Sequence, residues 1–168
     1  MPIAIYDAAV PPLLRGLAAL SAILSKGERW AEANGKSPSE LIEARLAPDM
    51  FPLARQVQVV SDTAKGCAAR LTQETPPSWP DEEKSFDELR ERLARTIAYI
   101  EARERAAFEG AEDRTVVMKF PGRELSFTGR DYLSGFVLPN FYFHLTAAYA
   151  ILRNQGVDVG KMDYLGAS

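Results

Sequence analysis

The sequence predicts an all-α fold, an antiparallel four-helix bundle with a small β-hairpin between helices 3 and 4. Two observations carry this. Apolar residues recur every three or four positions over four long stretches, the period of a helix face that must be buried. In one place only, residues 115 to 127, the period falls to two, as on a strand with one buried face. No internal repeat or low-complexity segment divides the chain, so its 168 residues are expected to form one domain over 1–168.

The first helix is read from Ile3, Tyr6, Val10, Leu13, Leu17, Leu20 and Leu24, with Gly27 as its end. Pro11 and Pro12 fall inside that register, which predicts a kink or an irregular start up to Pro12. Residues 28 to 49 then read as a connector with short helical pieces, Asn34-Gly35 marking a turn and Ser37-Pro38 a helix start. Leu46, Met50, Leu53, Val57, Val60, Ala64, Cys67 and Leu71 define the second helix, with Pro52 tolerated in its first turn. A polar, proline-rich loop follows.

Ser85 and Glu88 form a capping-box pattern ahead of Phe86, Leu89, Leu93, Ile97 and Ile100, so a third helix is expected to reach Phe108 before Gly110. In the hairpin, Val116, Met118 and Phe120 alternate with polar neighbours, as do Leu125 and Phe127, and Pro121-Gly122 suits the turn. Thr128 with Asp131 caps a fourth helix that runs to Arg153, with Pro139 as a kink and Gly156 as its stop. Tyr164 and Leu165 of the tail are expected to fold back on the bundle.

Lys and Arg total 20 against 23 Asp and Glu, and this balance argues against nucleic acid as a partner, because a phosphate backbone demands concentrated positive charge. The single cysteine, Cys67, cannot form an internal disulfide, and neither a basic leader nor a run of about 18 apolar residues is apparent. The expectation is a cytoplasmic protein with no membrane partner. The mixed Arg and Glu run from Arg90 to Arg114 reads as a solvated helix face.

Phosphate loops, nucleophile elbows and paired His or Cys metal motifs are missing. One His and one Cys permit a single dyad, Cys67 with His144, although Cys67 sits on an apolar stripe where a small buried hydrophobe fits. On the fourth helix Leu133, Val137, Asn140, His144, Ala147 and Ile151 share one stripe, so Asn140 and His144 should project side by side into the interior.

The ending Ile151-Leu152-Arg153-Asn154-Gln155-Gly156, whose arginine lies nine residues past His144, resembles the last helix of the DinB/YfiT-like superfamily, whose members carry H-x-x-x-H there. The segments APDMFPLARQVQ, FPGRELSFTGRDYL and LPNFYFHLTAAYAILRNQG resemble, more closely, an uncharacterised bacterial domain-of-unknown-function family within it. The resemblance implies a DinB-like bundle, commonly dimeric, in which better known members hold a divalent metal through three histidines and some are thiol S-transferases. By that correspondence His144 matches the second ligand position and Asn140 the first, while the second helix offers only Asp49 or Gln56. One imidazole and one amide suit zinc or nickel poorly, so no cofactor is expected and any divalent metal would rest on His144 and Asn140.

Three readings follow from these residues. His144, Asn140, Tyr142 and Tyr6, with Gln56 and Asp49, would line a remnant pocket for a small-molecule ligand. Alternatively, a degenerate DinB-like transferase would use His144 as metal ligand or general base. In the third, a non-catalytic homodimer would bury Phe136, Phe141, Leu145 and Leu152 of the fourth helix against a second copy.

Overall fold

The computed structural model describes residues 3–166. Long helices α1 (Ile5–Ala33), α3 (Leu53–Leu71), α4 (Phe86–Glu101) and α6 (Leu138–Asn154) surround one hydrophobic core, with the short helix α2 (Pro38–Ile42) between the first two. A 3₁₀ turn, Arg105–Phe108, and strands β1 (Thr115–Phe120) and β2 (Arg123–Thr128) lead into α5 (Gly129–Asp131), and α7 (Lys161–Leu165) closes the chain. The fold is therefore mostly helical with a two-stranded antiparallel hairpin.

Contacting residues give the directions. Ser61 meets Thr96 and Glu74 meets Arg103, so α3 and α4 run the same way. Gly16 faces Phe141 and Leu145 while Gly27 faces Leu152, so α1 and α6 are parallel, and the Gln56–His144 and Thr63–Asn140 pairs set α6 against α3. Two parallel neighbours cannot be joined by a tight turn, so the chain between α3 and α4 crosses the length of the pair. This crossing segment is poor in apolar residues, and it is pinned by polar contacts instead. Arg92 of α4 is only 4% exposed, and its guanidinium donates to Ser61 Oγ at 3.2 Å, the Pro80 carbonyl at 2.9 Å, Glu83 at 2.8 Å and Asp62 at 2.8 Å, and pairs with Asp81 at 2.9 Å. Trp79 lies over the same groove, with the Lys65 ammonium 4.4 Å and the Arg95 guanidinium 4.2 Å from its ring centre.

Several boundaries differ from the sequence reading. Helix α1 passes through Pro11, Pro12 and Gly27 and ends at Asn34-Gly35, where Gly35 has φ +62°. Gly27 is no stop; a Cβ there would lie 3.1 Å from Leu152 and 3.4 Å from Phe86, so the glycine lets three elements approach. Helix α3 starts at Leu53 with Pro52 as N-cap, and Leu46 and Phe51, 40% and 49% exposed, lie in the loop before it. Helix α4 ends at Glu101 because the 3₁₀ turn interrupts it before Phe108. The Ser85–Glu88 capping box, the hairpin register with Gly122 at φ +76°, and the Thr128–Asp131 cap are as read.

Between α5 and α6 the backbone takes π-helical register over Tyr132–Val137, and Pro139 follows directly, the widened register being one way a continuous helix takes in a residue that has no N–H. Residues Gly129–Asn154 thus form one rod. By length and composition both this rod and α1 are apolar enough to cross a membrane, and here about half of each apolar window is buried in the fold. Three of the four residues expected on a dimer face are spent within the single chain: Phe141, Leu145 and Leu152 are at most 1% exposed, because they meet α1 at Gly16 and Gly27, whereas Phe136 is half-buried beside Phe127 and Tyr132. In the tail, Tyr164 meets Tyr149 edge-on at 5.8 Å, whereas Leu165 is 48% exposed.

Two stability tests follow from this packing. Arg92→Ala should cost about 3–5 kcal/mol in urea denaturation, since it orphans buried acceptors, whereas Arg95→Ala on the exposed side of α4 should cost under about 1 kcal/mol. A Cβ on Gly129 would fall 1.8 Å from the Ala111 carbonyl, so Gly129→Ala should cost about 3 kcal/mol, while Gly135→Ala, with open space around it, should be neutral or gain up to about 1 kcal/mol.

Candidate functional site

The site is built where the start of α3 meets the middle of α6. Gln56, 1% exposed, lies in the first turn of α3, and its Nε2 donates to the Phe51 carbonyl at 3.1 Å. A carbonyl can only accept, so the amide nitrogen faces Phe51 and Oε1 faces His144 Nδ1, 2.6 Å away. Nδ1 therefore carries the proton and Nε2 is a bare acceptor. Burial, and secondarily the positive charge of Arg55, holds the His144 pKa below the usual 6.5, so the ring is neutral at neutral pH.

Around the imidazole stand two aromatic side chains. Phe51 lies nearly parallel to it at 6.3 Å and 21°, and Phe143 stands edge-on at 5.0 Å and 89°. With Asp49, Met50 and Gln56 they line an open pocket of about 220 Å³ beside His144. His144 is 9% exposed, and its Nε2 has no hydrogen-bond partner among the described residues.

The structure assembles only part of the residue set expected from the sequence. His144, Gln56 and Asp49 come together. Asn140 does not join them: its Nδ2 donates to Thr63 Oγ1 at 2.8 Å, one turn away toward α5. Tyr142 lines the adjoining groove with Leu46, Met50, Phe143 and Thr146. Tyr6 is remote. Since Gly16 is level with Phe141, Tyr6 sits ten residues, about 15 Å, further toward the start of α1, packed on Phe108 at 5.3 Å beneath the Arg105 guanidinium. Cys67 lies eleven residues beyond Gln56 on α3, about 16 Å along the helix, so it forms no dyad with His144. Fully buried, its thiol is pushed up to about 12.

These donors make a poor metal centre. The imidazole is single, its Nδ1 is tied to Gln56, and the Asn140 amide is turned to Thr63. No group of three or more His, Cys, Asp or Glu able to hold a metal ion occurs among the described residues. The donor set does not fit a three-nitrogen zinc or nickel site.

Phe51, Phe143 and Thr63 were not among the residues singled out in the sequence. Phe143 neighbours His144 in the chain, but an apolar residue on an apolar helix carries no mark distinguishing wall from core. Arg92 also escaped, because its Arg and Glu surroundings read as solvated surface.

Residues 5–165 match the family described as a domain of unknown function, DUF1993. The chain belongs to the DUF1993 family. A solved relative supports a wider kinship for this DUF1993 chain: the crystal structure of a DinB family member protein from Shewanella denitrificans is 41% identical to it, with a TM-score of 0.90 over 98% of this chain and 93% of that one. No curated protein matches this DUF1993 member.

A pH test follows from the His144 environment. Its native pKa lies below the unfolded value, so the unfolded chain takes up the proton first. His144 contributes its stability fully above pH 6.5, and that contribution is lost as the pH falls from there through the native value. Urea midpoints measured between neutral and mildly acid pH should therefore fall less for His144→Gln than for the unaltered protein.

Proposed function

We propose that this DUF1993 protein is a small-molecule binding protein whose ligand occupies the pocket beside His144. The observation that carries this reading is the unpartnered Nε2 of a largely buried, neutral histidine, tautomerically fixed by Gln56 and walled by Phe51 and Phe143. Nε2 is not one of the buried atoms left without a partner, so it lies on the open side of the ring, where a ligand can reach it. The reading takes the four long helices as a DinB-like four-helix bundle that works without a resident metal, in a cytoplasmic protein whose homodimer would use a face other than Phe141, Leu145 and Leu152.

A screen of metabolite-sized fragments by protein-observed NMR tests it. Hits should move His144 and Phe143 together, and His144→Ala should weaken them by tenfold or more, the cost of a buried hydrogen bond of about 1.4 kcal/mol or above. Hits that ignore these residues, or none at all, count against the reading.

One observation favours a degenerate transferase instead. A neutral, unprotonated Nε2 at a pocket is what a general base requires, and His144 occupies the position that related proteins give to a metal ligand. Thiol transfer that appears with added zinc or nickel and vanishes in His144→Ala would replace the binding reading with this one.

A further inference from the structure

The segment that crosses from α3 to α4 covers buried groups without being buried itself. No residue from Thr72 to Ser85 is buried, and no backbone group between Thr75 and Lys84 pairs with another backbone group among the described residues. Yet the polar groups of the α3–α4 groove, Gln58, Ser61, Lys65, Arg92 and Thr96, are at most 5% exposed. Side chains alone hold the cover down. Arg92 takes Asp81, Glu83 and the Pro80 carbonyl, Gln58 Nε2 donates to Glu83 at 2.9 Å, Arg55 pairs with Asp81, and Trp79 lies against Lys65 and Arg95.

Both helix ends are finished without this cover. At the end of α3 the Thr72 hydroxyl donates to the Ala68 carbonyl at 2.9 Å, and past Gln73, at φ +63°, the Glu74 N–H returns to the Ala69 carbonyl at 2.7 Å. Helix α4 begins at its own Ser85–Glu88 box, whose carboxylate also takes the Lys84 N–H. Pro76, Pro77 and Pro80 stiffen the piece between. It can therefore leave the groove without unwinding a helix or exposing the core, and Arg92 would keep Ser61 and Asp62. A segment with no buried apolar contact belongs at the low end of local stability.

We propose that Thr75–Glu83 is a strap that lifts as one piece while the helices stay packed. Lifting uncovers Lys65 and Arg92, two cations bridged by Asp62, in a groove that the chain's own Asp81 and Glu83 fill when the strap is closed.

Lys65 and Cys67 lie two positions apart on α3, one beneath Trp79 and the other in the core, so together they separate strap opening from unfolding. In the whole protein Lys65 is labelled with acetic anhydride and Cys67 with iodoacetamide, at reagent levels where rate follows concentration. Peptide mass spectrometry gives each rate relative to the urea-unfolded chain. Lys65 should react roughly tenfold or more below exposed Lys36, yet roughly a hundredfold or more above Cys67. Glu83→Gln, which removes a charge held by Arg92, should speed Lys65 roughly tenfold, and Cys67 by the same factor because the closed state is the reference for both. Ile151→Val, which loosens the core, should speed Cys67 roughly two- to tenfold and leave Lys65 unchanged.

Equal protection of Lys65 and Cys67, or a Lys65 rate that rises in step with Cys67 in Ile151→Val, overturns the strap, because the segment then opens only when the chain unfolds. Lys65 as reactive as Lys36, or indifferent to Glu83→Gln, overturns it too, because the strap is then not what covers the amine.

Discussion

A buried guanidinium anchors the rest of this structure. Because α3 and α4 run parallel, the chain must cross between them, and the segment that does so has little apolar surface with which to hold itself down. Arg92 supplies the attachment. It reaches from α4 to Ser61 and Asp62 on α3 and to Pro80, Asp81 and Glu83 on the crossing segment, so every acceptor around it is occupied. A buried charge of this kind adds little net stability over a well-packed apolar group, but a defect in it is costly, which makes it a device that fixes one arrangement against others.

The same network reaches the site. Asp81 is shared between Arg92 and Arg55, Arg55 lies against Phe51, and Phe51 holds Gln56 through its carbonyl and faces the His144 ring. Burial is the main cause of the lowered His144 pKa, and the Arg55 charge that adds to it is positioned by the ion cluster that pins the crossing segment. Gln56 then converts a residue able to present either nitrogen into one that presents a single lone pair. Such specification comes from backbone and amide geometry, and no metal is needed to orient the ring.

Helix existence and the hairpin were legible because each depends on local pattern: the 3–4 spacing from Val10 to Leu24, the Ser85–Glu88 box, and the alternation around Pro121-Gly122. Boundaries were not. Gly27 reads as a stop until Leu152 and Phe86 are seen to press on it, and Leu46 and Met50 continue a stripe that Pro52 cuts. Phe141, Leu145 and Leu152 looked like surplus apolar surface because a helix wheel does not count how many neighbours surround it.

By itself the sequence determined the elements, the single histidine and its place on the inner stripe of the last long helix, since periodicity and composition are properties of the chain alone. Tertiary structure decided which residues meet it. Asn140, four positions away and on the same stripe, turns to Thr63, whereas Gln56, 88 positions away, takes Nδ1. Tyr6, on an equally good stripe, lies about 15 Å off along α1. Helical spacing fixes which way a side chain points relative to its own axis; the rotation and axial offset of the neighbouring helix, set by packing the whole core at once, fix what stands opposite.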